Sequence, residues 1–233
     1  MSQQHIEKFT CSKCNATMEF TVWDSINTEL NPELKDKVMD ESLFLSSCPK
    51  CGHTAYITFG TLYHDPENQF MIFFDHAVQN DDISEDRFPD NDLFSQFNRN
   101  YKLRYVHGIR NLKEKIFLFE EGISDVAVEL IKYFLRNGII ALKDVPANWF
   151  IGKDVYFTHL SEDGETLVFT VIDENGKVGS QFGVNMDIYE QCLQKLVLDK
   201  RFAEEGNTVK NVCYAWVDAK LKTPLENEKS DLS

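Results

Sequence analysis

Two pairs of closely spaced cysteines are the residues of this chain best suited to chemistry. The first pair is Cys11-Ser-Lys-Cys14, and the second is Cys48-Pro-Lys-Cys51, which Gly52 follows. A C-x-x-C spacing places both sulfurs on one side of a tight knuckle, and two knuckles supply the four thiolates of a closed tetrahedral zinc site. The sequence therefore predicts that Cys11, Cys14, Cys48 and Cys51 bind a structural Zn²⁺ ion. Because four thiolates leave no open coordination position, the ion is expected to stabilise the fold and not to catalyse a reaction.

Other interpretations of the cysteines stay open at the level of sequence. A redox C-x-x-C motif opens a helix after a strand, whereas both pairs here lie between short predicted strands. An iron–sulfur site, or four thiols without a metal, would use the same residues. His53 closely follows the second pair and could replace one cysteine as a ligand. Cys192 and Cys213 lie in apolar surroundings, where a free cysteine is commonly a small buried apolar side chain.

Short strands must position the two cysteine pairs. Strands are predicted on both sides of each pair, at residues 6–10, 18–23, 42–47 and 55–63. In the second of these, the apolar residues Met18, Phe20 and Val22 alternate with polar residues, which is the period of a half-buried strand. A further strand at residues 69–74 completes a hairpin, and a short helix is predicted at residues 31–39, where Asn and then Pro begin it.

The second half of the chain predicts helices and a β-meander. After a strand at residues 101–106, Ser124 caps a strongly amphipathic helix that Gly138 ends. Three strands follow, at residues 149–160, 166–173 and 177–184. A helix at residues 187–203 places five residues on its inner side, namely Tyr189, Cys192, Leu193, Leu196 and Val197, and a last strand is predicted at residues 209–217. The fold class is therefore α+β, with a zinc-ribbon-like antiparallel β N-terminal part, then a helix, then a C-terminal β-meander plus helix.

The charge of the chain limits the classes of partner. Its 233 residues carry 24 Lys+Arg against 38 Asp+Glu, a formal net charge of −14. This charge argues against a protein that coats nucleic acid, which needs basic residues to neutralise phosphates. It also argues against a protein that binds an anionic membrane surface. The N-terminus shows no basic and apolar signal segment, so the chain is expected to be cytoplasmic. In that compartment thiols stay reduced, and paired cysteines more often bind metal than form disulfides.

The predicted strands and helices also indicate how the chain divides into domains. We expect a first domain at residues 1–138, a β-meander and helix part at residues 139–221, and a polar tail at residues 222–233. Within the first domain, residues 79–100 carry six carboxylates and few apolar side chains, so they are interpreted as an exposed acidic connection.

Three further motifs accompany the cysteines in order. Val22-Trp23-Asp24-Ser25-Ile26-Asn27 follows the first pair, Leu62-Tyr63-His64-Asp65-Pro66 follows the second, and Glu114-Lys115-Ile116 precedes the capped helix. Together, up to about residue 135, they resemble the CpXC family, which is named for its paired cysteine knuckles. Ser12 departs from the family pattern, which has Pro at that position; ligation stays intact, but the knuckle is slightly looser. The resemblance implies a zinc-ribbon-like module of unassigned activity.

No catalytic signature is found in the sequence, so binding is the favoured function. The chain lacks the G-x-S-x-G, H-E-x-x-H, Walker and G-x-G-x-x-G motifs. We expect an intracellular, zinc-stabilised interaction module that binds a basic partner, as an adaptor or in a neutralising (immunity-type) role. One alternative is a nucleic-acid-associated zinc ribbon that uses local basic residues, namely Lys102, Arg104, Arg110, Lys113 and Lys115.

The other alternative is an enzyme with a site at His64 and Asp65. Asp24 and Asn27 belong to the same group of polar residues in the sequence, and His64 would carry the proton. The plainer interpretation of these four residues is hydrogen bonding in turns and caps.

Overall fold

The computed structural model describes residues 2–75, 101–142, 145–150, 152–173, 175–203 and 209–224. Packing divides the chain into two compact units: residues 1–113 with 207–210, and residues 114–206 with 211–233. The predicted division at residue 138 stays a prediction. The acidic connection at residues 79–100 and most of the polar tail lie outside the described residues.

The first unit is built on a mixed β-sheet. Its strands are β1 (Gln3–Thr10), β2 (Thr17–Asn27), β3 (Leu45–Ser47), β4 (Thr54–Tyr56), β5 (Thr61–Asp65), β6 (Phe70–Asp75) and β7 (Lys102–His107). Five of them are hydrogen-bonded neighbours in the order β1-β2-β5-β6-β7, whereas β3 and β4 form a separate hairpin. Neighbours β1/β2 and β5/β6 are antiparallel, and β2/β5 and β6/β7 are parallel.

Alternation of apolar residues explains which face of this sheet is buried. Met18, Phe20 and Val22 on β2 are buried and the residues between them are exposed, so the predicted period of two is confirmed. Helix α1 (Glu33–Met39) contributes buried Leu34 and Val38. The sheet thus has one core-facing side against which the cysteine knuckles can pack.

The second unit combines helices with a three-stranded sheet. Its elements are α2 (Ile109–Glu120), which begins in the first unit, α3 (Asp125–Arg136), β8 (Asp154–Leu160), β9 (Thr166–Ile172), β10 (Val178–Asn185), α4 (Met186–Leu198) and α5 (Tyr214–Lys222). The strands pair antiparallel in the order β10-β9-β8, which confirms the predicted meander. Ser124 caps α3, because its side-chain oxygen accepts a hydrogen bond from the Ala127 N–H at 3.3 Å.

The predicted α+β class is confirmed, but several elements differ from the prediction. The strand predicted at residues 209–217 is wrong: Lys210 makes a single bridge to Arg104, and α5 begins at Tyr214. Residues 42–47 form a short 3₁₀ turn (Ser42–Phe44) before the three-residue strand β3. Helix α2 was not predicted at all. Val197, expected on the inner side of α4, is 85% exposed.

Candidate metal centre

The two cysteine knuckles occupy the turns of two β-hairpins. The first knuckle joins β1 to β2, and the second joins β3 to β4. Each hairpin is closed by the same backbone bond, because the Cys11 N–H donates to the Ala16 carbonyl at 2.9 Å and the Cys48 N–H donates to the His53 carbonyl at 2.8 Å. The two turns are therefore equivalent in structure, and each presents its cysteines in the same way.

A left-handed residue completes each knuckle. Asn15 has φ 54° and Gly52 has φ 68°, and each directly follows the second cysteine of its pair. The Asn15 N–H donates to the Cys11 carbonyl, and the Gly52 N–H donates to the Cys48 carbonyl, both at 2.9 Å. Glycine and asparagine are the residues that adopt this conformation at least cost, which explains their presence here.

The two hairpins bring the four cysteine sulfurs together. All four sulfur atoms lie within 4.8 Å of one another. Two distances that join one knuckle to the other are Cys11 Sγ to Cys51 Sγ, 3.7 Å, and Cys14 Sγ to Cys48 Sγ, 3.6 Å. An ion bonded tetrahedrally to four sulfurs at about 2.3 Å separates those sulfurs by about 3.8 Å. The donor set and its spacing therefore fit one metal ion bound by four thiolates.

The sulfur cluster packs against the buried face of β2. Cys11 and Cys48 are each 2% exposed, and they belong to one apolar cluster with Met18, Phe20, Val22 and Ile57. Cys14 and Cys51 are partly buried at its border. All four cysteines are free thiols and not disulfides. A metal ion here would connect the two hairpins beside this apolar cluster.

Backbone amides favour the thiolate at the first cysteine of each knuckle. The N–H groups of Cys51 and Lys50 donate to the Cys48 sulfur and lower its pKa to about 6. The N–H groups of Cys14 and Lys13 lower the Cys11 pKa in the same way. At Cys14 the Ala16 N–H lowers the pKa, but burial and the neighbouring thiols outweigh it and raise the pKa to about 12. A bound cation would favour the thiolate at all four positions.

Comparison with known protein families agrees with this geometry. A family model described as CpXC protein matches residues 9–132, which is more than half of the chain and includes both cysteine pairs. The chain belongs to the CpXC protein family. No curated protein and no solved structure gave a significant match. The family membership predicted from the ordered motifs is thus confirmed.

Ser12 lies between the cysteines of the first knuckle, at the position that Pro49 occupies in the second. The Ser12 hydroxyl lies 3.3 Å from His53 Nε2, so it links the first knuckle to the second. His53 is not part of the cluster of candidate ligand atoms in the described residues, which consists of the four cysteines. The sequence did not predict this contact, because nothing in the spacing relates residue 12 to residue 53.

The predicted polar group around His64 is only partly assembled. His64 Nδ1 lies 3.4 Å from the Asn27 amide, and its Nε2 lies 3.1 Å from the Tyr101 hydroxyl. Asp65 is buried and accepts hydrogen bonds from Asn68, as a turn-forming residue does. Asp24 is exposed and contacts His5 at 2.8 Å. Burial lowers the His64 pKa, which favours a neutral ring in this setting.

The five basic residues proposed for nucleic acid do not form one exposed patch. Arg104 and Lys115 are each 2% exposed, whereas Arg110 is exposed. Lys113 is half-buried and donates to the Glu41 carboxylate at 3.0 Å. Among the described residues, therefore, the sequence grouping does not correspond to a common surface.

The structure also shows a buried group of charges that the sequence analysis missed. Lys132 on α3 donates to Glu114 on α2 at 2.7 Å and to Glu129 at 2.8 Å, and all three are buried. Lys115 and Asp125 form a second buried ion pair at 2.8 Å. The signal that could have found this group is the Glu114-Lys115-Ile116 motif, in which two charges directly precede a core position.

The two remaining cysteines lie in the second unit. Cys192 is buried on α4, where burial raises its pKa to about 11, as expected for an apolar core thiol. Cys213 is partly buried at the N-terminus of α5.

A separate finding concerns membranes: the described residues contain no helix with the length and apolar character of a membrane span.

Proposed function

We propose that this CpXC protein is an intracellular, zinc-stabilised interaction module that binds a basic protein partner. The observation that carries the proposal is the closed four-sulfur cluster in two hairpin turns. Four thiolates saturate a tetrahedral ion, so the ion has no position for a substrate or a water molecule. The metal centre is thus suited to holding a binding surface in shape, which supports an adaptor or neutralising role.

Charge supports the choice of a basic partner. The formal net charge is −14, and four thiolates with one Zn²⁺ change it to −16. Exposed carboxylates occur in both units, for example Glu19 and Asp24 on β2 and Glu162, Asp163 and Glu165 at the β8–β9 turn. An acidic surface raises the rate of encounter with a basic protein and disfavours acidic partners.

Affinity capture with the full, metal-loaded chain tests the partner. Metal analysis of the purified chain comes first, and we expect about one zinc per chain and no iron. The tagged chain is then incubated with nuclease-treated lysate of the source cell at low salt. We expect one stoichiometric, basic protein that is released at about 1 M salt, where charge attraction is screened within about 3 Å.

The captured protein must then bind as a pure component, with an affinity that falls as salt is raised. The matched variants are Cys48→Ser, which removes one sulfur of the cluster, and Cys213→Ser, which removes a cysteine outside it. We expect Cys48→Ser to lose the partner and Cys213→Ser to keep it. Capture of nucleic acid in place of a protein, or of no stoichiometric partner, would contradict the proposal.

A further inference from the structure

Strand β1 is an edge of the first sheet that nothing covers in the described part of the chain. It pairs with β2 on one side, and among the described residues no strand pairs with its other side. Every residue from Gln3 to Thr10 except Phe9 is exposed. Natural proteins usually shorten, bend or cover such an edge. This strand is long, and its pairing with β2 is regular from Gln4 to Thr10.

The pairing with β2 shows which backbone groups point to the open side. At the end of the hairpin the Cys11 N–H donates to Ala16, so residue 11 directs its backbone groups toward the neighbouring strand. Backbone direction alternates along an antiparallel ladder. Glu7 and Phe9 therefore face β2, whereas Gln4, Ile6 and Lys8 direct their N–H and C=O groups outward.

We propose that a second copy of this chain pairs with this edge, β1 against β1, in an antiparallel dimer. A two-fold axis between antiparallel strands is perpendicular to the sheet, so one residue faces its own copy across the axis. Placing Ile6 on the axis puts Ile6 opposite the partner's Ile6 and His5 opposite the partner's Glu7. Gln4 then lies opposite the partner's Lys8.

The symmetric registers centred on the residues next to Ile6, and on Lys8, pair less favourable side chains. With Glu7 on the axis, two carboxylates would face each other, and with Lys8 on the axis, two ammonium groups would do so. Like charges directly opposite each other destabilise a strand pair. With His5 on the axis, Ile6 would lie opposite the polar side chain of the partner's Gln4, and fewer residues would pair. The register centred on Ile6 is the one that sets apolar against apolar and acid against base.

This register also accounts for the exposure of Ile6. The side chain is 65% exposed in the single chain, in the middle of a strand whose neighbours on the same face are polar. Pairing across the axis would bury it against its copy and satisfy the outward backbone groups of Gln4, Ile6 and Lys8 with about six hydrogen bonds. The dimer does not depend on the proposed function, because it uses a sheet edge and no basic partner.

Sedimentation of the full, metal-loaded chain over a wide range of concentrations tests the dimer. We expect the wild-type chain to change from monomer to dimer as concentration rises. Ile6→Lys places two ammonium groups on the axis, and we expect it to raise the dimer dissociation constant by about 10- to 30-fold. Because Ile6 is exposed, this variant leaves the core unchanged, and an unaltered metal content would show that it is folded.

Thr21→Lys is the matched control for this experiment. Thr21 is exposed on β2 and is the direct cross-strand neighbour of Ile6, so the control adds the same charge to the same face away from the edge. We expect Thr21→Lys to dimerise like the wild type. A wild-type chain that stays monomeric at every concentration, or an Ile6→Lys chain with the dimer dissociation constant of the wild type, would overturn the proposal.

Discussion

At the scale of single residues, the two C-x-x-C pairs form two knuckles whose four sulfurs lie within 4.8 Å of one another. Gly52 directly follows the second pair and has positive φ, which glycine adopts at little cost. A positive φ at Asn15 could not be predicted, because asparagine adopts many conformations and the equivalence of the two turns becomes visible only in the backbone hydrogen bonds. Metal ligation by the four residues stays a prediction.

Replacing one sulfur of the cluster tests this ligation. We expect Cys48→Ser to lower the bound metal from about one equivalent per chain to nearly none, because structural metal binding and folding are coupled. Part of the first unit should unfold as a result, since Cys48 packs with Met18 and Phe20 in one apolar cluster. Elemental analysis and thermal unfolding measure the two effects. Cys213→Ser, outside the cluster, is the control, and metal retention by Cys48→Ser with an unchanged melting temperature would disprove the assignment.

At the scale of elements, the sequence predicts the strands and helices that have a regular apolar period. It does not predict helices in which charged residues interrupt that period. The strand β2 and the helix α3 show clear periods of two and of three to four residues. The sequence does not predict helix α2, because Arg110, Lys113 and Lys115 interrupt its apolar pattern, although its buried Leu112 and Ile116 lie four residues apart. The sequence predicts a strand where α5 forms, because a short apolar run does not distinguish a helix from a strand.

The buried charges between α2 and α3 provide a stability prediction. Burial alone lowers the Lys132 pKa, but Glu114 and Glu129 outweigh it and raise the pKa, so the side chain stays charged. Lys132→Met would leave two buried carboxylates without their cation, at a cost of about 3–5 kcal/mol in the free energy of unfolding. Urea denaturation measures this cost. Lys222→Met removes an exposed ion pair with Asp218 on α5 and should change little, so equal effects of the two variants would refute the argument.

The C-terminal end of helix α5 provides a prediction about pH. The Arg201 guanidinium donates to the Leu221 carbonyl at 3.0 Å and to the Thr223 carbonyl at 2.9 Å. It also donates to Asp199 Oδ2 at 2.6 Å. The hydrogen bonds from Arg201 lower the Asp199 pKa from its ordinary value of 3.8. The unfolded chain therefore binds more protons here, so this stabilisation is present above pH 3.8 and is lost as pH falls through the lowered pKa.

Amide hydrogen exchange in α5 measures this effect. We expect Asp199→Asn to reduce the protection of α5 near neutral pH and to match the wild type well below pH 3.8. Asp163→Asn is the control, because Asp163 also has a lowered pKa but forms the β8–β9 turn with Ser161. A difference between Asp199→Asn and wild type that persists unchanged in acid would show that the carboxylate charge is not the cause.

At the scale of the whole molecule, metal binding would change the net charge on which the proposal of a basic partner rests. The formal charge of −14 counts the cysteines as neutral thiols. Four thiolates and one Zn²⁺ would contribute −4 + 2 = −2, so a zinc-loaded chain would carry −16. A bound Zn²⁺ would therefore connect the two hairpins and slightly strengthen the acidic field of the protein. Composition gave the sign of this charge, but its distribution over the surface depends on burial, as the buried Arg104 and Lys115 show.

Proton release on metal binding tests this charge balance. Each neutral thiol must lose its proton to become a ligand, so metal affinity should fall as pH falls. Since the Cys48 pKa is about 6, that thiol is largely ionised at pH 7, and binding should release about three protons, those of the other three thiols. Calorimetric titration with Zn²⁺ in two buffers of different ionisation enthalpy counts them. Release of fewer than about two protons would mean that the four cysteines do not all ligate the ion, whereas Cys213→Ser should give the wild-type count because its sulfur lies outside the cluster.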